Sequence, residues 1–478
     1  MLVPTIGIEV HAELKSNSKV FSRSKNDFND EVNTNVDELD LAYPGTLPRL
    51  NKEVISMALK ACLAFHCKIN RHMHFDRKNY FYPDLPKGFQ ITQKDTPIGY
   101  DGYIEIKTDD GIKKIGLERI HIEEDTCKSI HSGKQTLLNY NRAGVPLIEI
   151  VSKPVISNGK EACAYLEALR ETLLYLGVSD VKMEEGSMRC DANVSLKEEN
   201  SETLGTKTEI KNIGSISKVA ISINYEIERQ KKILESGLKV REETRRFDDK
   251  TETTILMRVK ETGNDYRYLP EPNIPFVNID EKWYNDVLDS IGILPNEMRE
   301  EYSTLGISSN NIATLIANKE LNDYYRSIYK KTDPIILANL LTGDILSHLN
   351  KNNIELKDTH LKEKDILKLT DLLSKKTITS KQGKEILPSL LESDENIDEV
   401  IDKLGIKSLD DGALEKIVQD VVKANSQSVN DYKAGKEKAL KFLVGQVMKE
   451  TKGAANPEAL NRMLIEIINK INWGEKNE

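Results

Sequence analysis

Cysteine is scarce: five occur among 478 residues, Cys62, Cys67, Cys127, Cys163 and Cys190. An odd number with no pair two residues apart excludes a zinc knuckle or ribbon and gives no basis for a disulfide framework. A chain of this length buries a sizeable core without such staples. No apolar stretch approaches the ~20 residues of a membrane span. The start, Met1-Leu2-Val3-Pro4-Thr5-Ile6-Gly7, lacks the basic and apolar regions of a signal peptide. The expectation is a reduced protein with no membrane association, with the cytoplasm as default compartment and an organelle as the alternative. Positive charge is not in excess either, since 68 Lys and Arg stand against 77 Asp and Glu, a net charge of −9. That balance argues against bulk, non-specific binding of nucleic acid, which neutralises many phosphates at once, but leaves room for local basic patches. Also missing are a glycine-rich phosphate loop, a dinucleotide fingerprint, a zinc-protease helix pair and the Gly/Ser-rich run that carries an amidase nucleophile. Phosphate chemistry, if present, has to be handled by side chains and metal on a sheet.

Gly, Pro and aromatic punctuation concentrates in the first 290 or so residues, between short alternating runs that read as strands. Beyond Pro295 the chain reads as helices rich in Leu, Ile, Lys, Glu and Asn. Within the front part, residues 160–176 read as a helix with Ala164, Leu166, Leu169, Leu173 and Leu176 on one side and Gly177 as its stop; 217–236 reads as another, closed by Gly237. Near the end, Asn456-Pro457 places a cap and then proline at a helix start. The expected class is α+β, a mixed front followed by an all-α rear.

Three alternating runs carry the polar chemistry. In Ile6-Gly7-Ile8-Glu9-Val10-His11-Ala12-Glu13 the apolar residues face one way and Glu9, His11 and Glu13 the other. This is either a ligand set for a hard divalent cation or an exposed polar strand face. The run from Ile115 ends in Glu123, Glu124 and Asp125, three consecutive acids that repel one another unless a cation sits among them; a solvated turn is the equally plain reading. In Met188-Arg189-Cys190-Asp191-Ala192-Asn193-Val194-Ser195-Leu196 one face is apolar and the other carries Arg189, Asp191, Asn193 and Ser195, and Lys207, Glu209 and Lys211 share a face just beyond. Acids and bases from several strands on one solvated sheet face suit a nucleotide-and-metal cradle, where carboxylates hold Mg²⁺ and cations take phosphates; a salt-bridged open sheet is the alternative. Between these runs, Arg77 and Lys78 precede Tyr80-Phe81-Tyr82, a pairing that could grip phosphate and base or form a packed loop. Farther on, Arg258, Lys260 and Arg267 add cations.

Taken together, these stretches resemble the GatB/GatE family. The resemblance runs through residues 7–14, 42–48, 75–83, 121–125, 144–152, 181–196, 244–247 and 258–272 and continues into the rear. It implies a glutamine synthetase/guanido kinase-like catalytic domain with an antiparallel-sheet floor over 1–293, a helical linker domain over 294–405 and a YqeY-like helical tail over 406–478. It also implies a reaction, carbon–nitrogen ligation. ATP phosphorylates the side-chain carboxylate of Glu-tRNA(Gln) or Asp-tRNA(Asn), and ammonia then displaces the phosphate. The ammonia comes from glutamine through a partner amidase, the A subunit, which sits with a small C subunit in a heterotrimer. Carried over position by position, Glu9, His11 and Glu124 look like metal ligands, with Glu123, Asp191 and Glu209 as nearby acids for a second ion. Lys78 and Arg189 are the expected contacts for carboxylate or phosphate, and Asp191 counts with them as catalytic. In the tail, six lysines stand against Glu437 and Glu450 between Lys433 and Lys452, while Leu440, Leu443, Val444 and Val447 supply an apolar side. Lys433, Lys436, Lys441 and Lys449 are the expected contacts with tRNA phosphates, which position a substrate without reading its sequence.

Two other classes compete. A glutamine synthetase-like ligase acting on a free small-molecule carboxylate would use the same acids but would have no use for a basic tail helix. A catalytically silent RNA-binding scaffold would not need acids gathered on three strand-like runs.

Overall fold

Alternation of small and β-branched residues builds the central element, strand β1 (Leu2–Glu13). In the computed structural model, which describes residues 1–259, 266–406, 411–451 and 457–470, Ile6, Ile8, Val10 and Ala12 of this strand are all buried. Of 411–413 and 457–459 only the backbone is described. The described residues divide into two compact units, Met1–Glu297 and Met298–Glu478.

The first unit is organised by a ten-stranded sheet. In chain order its strands are β1, β2 (Lys68–Ile69), β3 (Gly99–Tyr100), β4 (Tyr103–Thr108), β5 (Gly111–Glu124), β6 (Pro146–Ser152), β7 (Met188–Glu198), β8 (Thr208–Lys211), β9 (Glu243–Asp248) and β10 (Thr253–Val259). They lie in the order β10-β9-β8-β7-β1-β6-β5-β3-β2, with β4 pairing β5. The pairing is antiparallel throughout except between β8 and β9, which run parallel. Parallel neighbours need a crossover connection, and the 20-residue helix Ile216–Glu235 supplies it here, which is why the floor is not uniformly antiparallel.

One face of this sheet is covered by helices α1 (Lys52–Ala64), α2 (Gly159–Leu176) and α3 (Ile216–Glu235). Asn158 caps α2 by accepting from the Glu161 N–H, and Ser215 caps α3 by accepting from the Lys218 N–H. Gly177 ends α2 in the left-handed region, at φ 70°. Gly159 is required by contact, since a Cβ there would lie 2.8 Å from Ala220 Cα, so α2 and α3 can approach only where the side chain is absent. Leu166, Leu169, Leu173, Val219 and Ile223 are fully buried against the strands, each contributing roughly 1.5–3 kcal/mol. With one face closed this way, the opposite face is left to polar side chains.

A small second sheet stands beside that polar face: Asp76–Asn79 pairs with Phe89–Thr92 and with Leu269–Pro270, with Lys78 opposite Gln90 and Arg77 opposite Leu269. Arg77 is a fastener in it, bonding Glu271 and lying over the Phe89 ring at 4.2 Å.

The second unit is helical throughout its described residues. Its last segment has its own apolar group, in which Val418, Val422, Val429, Leu443, Val447, Leu460 and Leu464 are fully buried. The helix Pro457–Lys470 begins on the expected proline, while Asn456 lies outside the described residues. Among the described residues no helix is long and apolar enough to cross a membrane.

Candidate functional site

Strand register decides which side chains meet. On β1, Glu9 stands opposite Asp191 of β7, and His11 lies between Arg189 of β7 and Glu149 of β6. Glu149 in turn stands opposite His121 of β5, and Asn193 of β7 opposite Glu209 of β8. Because alternate residues share a face, the uncovered side of five adjacent strands gathers these polar groups in rows.

Two sets of metal-ligating atoms result, each with its ligand atoms within 4.8 Å of one another: His11, Glu123 and Glu149, and Glu9, Asp191 and Glu209. In the first set His11 Nε2 lies 3.2 Å from Glu149 Oε2 and 3.8 Å from Glu123 Oε2. His121 Nε2 reaches Glu123 Oε1 at 3.0 Å and Glu149 Oε2 at 3.5 Å. Thr92 and Gln90 donate to Glu123 from the small sheet. Burial opposes charge on His121, yet Glu149 and Glu123 outweigh it and raise the imidazole to about 9. His11 is raised in the same way, against its burial, by Glu149 and then Glu123. Glu149 falls well below the usual carboxylate range despite its burial, because both imidazoles face it. His121 Nδ1 is buried without a hydrogen-bond partner.

The second set is held by fewer cations. Lys211 Nζ bridges Asp191 at 2.5 Å and Glu209 at 3.1 Å. Asn193 Nδ2 donates to Glu9 at 3.1 Å, and the Thr244 hydroxyl donates to Glu209 at 2.9 Å. Burial, then Glu149, Asp191 and Glu209, raise the pKa of Glu9. Lys211 is raised above the ordinary lysine value by Asp191 and Glu209, although its burial works the other way. Carboxylates crowded to this degree, oxygen-only and oriented by an amide and a hydroxyl, fit a hard divalent cation such as Mg²⁺. The first set, with an imidazole in it, accepts a softer ion as well.

Both sets border a cavity of about 380 Å³ whose lining includes His11, Lys78, Tyr80, Glu123, Arg189, Asp191 and Lys211. Lys78 lies over the Tyr266 ring at 5.0 Å; burial disfavours its charge, but Glu123 and further groups raise its pKa overall. Arg189 Nη2 donates to Asp125 Oδ2 at 2.9 Å, and Arg142 bonds the same oxygen at 2.6 Å.

Of the residues singled out from sequence, Glu9, His11, Glu123, Asp191, Glu209, Lys78 and Arg189 therefore converge on one side of the sheet. Glu124 does not join either set. Alternation turns it away from Glu123, and its carboxylate accepts from Lys87 Nζ at 2.7 Å and the Ile91 N–H at 2.9 Å. Glu149 and His121 were not picked out, although a lone acid inside the apolar run Leu147-Ile148-Glu149-Ile150-Val151 is itself a signal of a buried, engaged carboxylate. Lys433, Lys436, Lys441 and Lys449 are all exposed in the helical tail, Lys436 paired with Asp431 at 2.9 Å. Arg258 is exposed on β10, and Lys260 lies outside the described residues.

A sheet closed on one face by helices and lined on the other by two carboxylate sets, two lysines and an arginine has the make-up of a polar cradle, with acids suited to a cation and bases suited to an anionic group. The GatB/GatE catalytic domain family matches residues 4–285, and the GatB domain family matches residues 323–468. The chain is 46% identical over 465 residues to the B subunit of the aspartyl/glutamyl-tRNA(Asn/Gln) amidotransferase of Lactiplantibacillus plantarum, covering 97% of this chain and 98% of the relative. It is likewise 46% identical over 468 residues, with the same coverage, to the B subunits of the same enzyme from Bacillus cereus strain AH187 and Bacillus thuringiensis subsp. konkukian. The chain belongs to the GatB/GatE family.

Proposed function

We propose that this chain is the ATP-using B subunit of a glutamine-dependent aminoacyl-tRNA amidotransferase. It acts on the side-chain carboxylate of glutamate in Glu-tRNA(Gln), of aspartate in Asp-tRNA(Asn), or of both. The observation that supports this most is the convergence of two carboxylate sets with Lys78, Arg189 and Lys211 on one cavity, in a chain that matches B subunits over nearly its whole length.

A carboxylate is a poor electrophile because nothing on it leaves readily. Transfer of the γ-phosphoryl group forms a bond from a carboxylate oxygen to phosphorus while the bond to the β-phosphate oxygen breaks. Attack by ammonia then forms the C–N bond, and phosphate departs with the electron pair of the broken C–O bond while the nitrogen loses a proton to solvent. Mg²⁺, when bound, offsets the repulsion between the carboxylate and the triphosphate. Glu9, Asp191 and Glu209 are the residues to hold it, with His11, Glu123 and Glu149 for a second ion. Lys78 and Arg189 supply positive charge at the cavity wall to orient substrate carboxylate or phosphate. Lys433, Lys436, Lys441 and Lys449 are proposed for the tRNA backbone. The chain has no amidase motif, so ammonia has to arrive from a partner A subunit held with a small C subunit.

The test follows labelled glutamate on Glu-tRNA(Gln) with this chain, the A and C partners, Mg²⁺, ATP and glutamine. Formation of labelled Gln-tRNA that requires both this chain and ATP supports the reading. If glutamine is hydrolysed but neither Gln-tRNA nor, in the parallel assay, Asn-tRNA forms, the reading is wrong and a ligase acting on a small carboxylate takes its place.

A further inference from the structure

A third group of ligand atoms lies outside the cavity just described. His74, Asp76 and Asp95 each bring one donor atom to within 4.8 Å of the others, at the start of the small sheet. His74 Nε2 and Asp76 Oδ1 are 3.2 Å apart. A tetrahedral ion with bonds of about 2.0–2.1 Å has ligand–ligand edges of roughly 3.3 Å, so this pair already has the spacing of two ligands on one ion.

The partners around these side chains point the same way. Asp76 is buried, and its Oδ2 accepts from the Lys94 N–H at 2.7 Å, which leaves Oδ1 directed at His74. The Thr96 hydroxyl sits 3.1 Å from His74 Nδ1 and 3.3 Å from the His74 carbonyl, and it accepts from the His74 N–H at 2.9 Å. When the hydroxyl gives its proton to the carbonyl it takes one from Nδ1–H, and Nε2 becomes a bare lone pair facing a carboxylate. That contact needs a cation or a proton between the two. An imidazole whose far nitrogen is fixed by a hydroxyl, beside a carboxylate whose far oxygen is fixed by a backbone N–H, is the outer-shell arrangement of a metal site. The Phe276 ring covers His74 at 5.3 Å between centroids, shielding one side. His72, stacked on the same ring, spends its Nδ1 on Asn278 and is not a ligand.

We propose that His74 Nε2, Asp76 Oδ1 and the Asp95 carboxylate bind a zinc-class divalent ion, with solvent completing the coordination. One imidazole with two carboxylates suits Zn²⁺ better than Mg²⁺. The ion would join Asp76, two residues before Lys78 on the same strand, to the 94–96 segment, fixing the strand that brings Lys78 to the cavity. This proposal does not depend on the activity proposed above.

The test counts zinc in the full chain, stripped with a chelator and re-equilibrated at buffered nanomolar to micromolar free Zn²⁺ in millimolar Mg²⁺. Glu149→Gln with Asp191→Asn serves as the background, to weaken the two central sets. The expected result is one retained ion per chain that is lost on adding His74→Gln or Asp95→Asn. Asp95 is exposed, so Asp95→Asn tests the site without endangering the fold. Co²⁺ in the same background should show visible absorption bands of a four- or five-coordinate ion that vanish in the same variants. Equal zinc counts with and without Asp95→Asn, or no zinc in the background chain, would overturn the proposal.

Discussion

The two carboxylate sets share a sheet face and a cavity, yet they are neutralised differently. His11, Glu123 and Glu149 come with cationic partners, because Glu149 and Glu123 raise the pKa of both His11 and His121 against their burial. Glu9, Asp191 and Glu209 are three acids against one ammonium, and burial, then Glu149, Asp191 and Glu209, raise the pKa of Glu9. A set that is already balanced holds its geometry without an ion and is displaced from it only when a stronger cation replaces the protons. A set that is unbalanced gains most from binding one. On the function proposed above, this difference makes the second set the principal site for a hard cation and the first set the one that needs an ion less.

Removing the shared acid of the first set should have the largest effect. Glu149→Gln leaves His11 and His121 facing an amide, and both lose the larger of the two acidic partners that raise their pKa values. Amidation should fall by about 10³-fold, the scale of losing one preorganised electrostatic partner, while tRNA affinity stays within about threefold. Single-turnover conversion alongside filter binding checks it, and equal losses in both would mean the variant is misfolded rather than silenced.

The balanced set also predicts a pH dependence of the metal-free chain. His121 is raised from an unfolded value near 6.5 to about 9. Its contribution is full below the unfolded value and is lost as pH rises through about 9. Glu149 is depressed, so its contribution is present above the unfolded value near 4.3 and is lost as pH falls. In EDTA, stability should therefore be greatest between these limits and decline above neutrality by up to about 3 kcal/mol. Urea midpoints at neutral and alkaline pH measure this. His121→Asn should shrink the alkaline decline to the part that His11 contributes, and a decline of undiminished size in the variant would place its origin elsewhere.

The polar faces that carry these sets were legible in the sequence, and the part that was not has physical causes. Alternation in the runs around Glu9 and Asp191 marks one polar face each, because a half-covered strand must put its polar residues on the open side. Alternation cannot show which faces become neighbours. Glu149 escaped because its strand is apolar apart from it, so the run reads as plain core until register sets it between His11 and His121. Glu124, which the resemblance put with Glu9 and His11 as a ligand, directly follows Glu123, the relation that in a strand sends side chains to opposite sides, and it bonds Lys87 and the Ile91 N–H instead. The parallel β8–β9 pair was hidden because it depends on α3 carrying the chain back across the sheet. The tail lysines were visible as composition alone, since an exposed helix face needs no partner to be recognised.

Within the second set, Asp191→Asn should raise the Mg²⁺ concentration for half-maximal activity about 10- to 100-fold, with much of the rate recovered at high Mg²⁺. Lys211 would keep Glu209 in place through the remaining bridge. The same change at Glu149 should not be rescued by Mg²⁺. If both variants respond alike to added metal, the two sets act as one site and the contrast between them fails.

The smallest effect is expected in the tail, where charge is exposed and acts through solvent. Leu443 and Val447 are buried while Lys441 and Lys449 are exposed on the same helix, Glu437–Glu450, so the lysines can be changed without touching its packing. Lys441→Ala with Lys449→Ala should raise KM for the charged tRNA a few-fold and leave kcat unchanged, because phosphate contacts hold the substrate but do not enter the chemistry. Two lost phosphate contacts should also flatten the dependence of log affinity on log salt by roughly 1.5 to 2. Affinity measured at several salt concentrations reads that slope directly. An unchanged slope would mean that these lysines are ordinary solvated charge, and that tRNA is held by the catalytic unit or by another member of the complex.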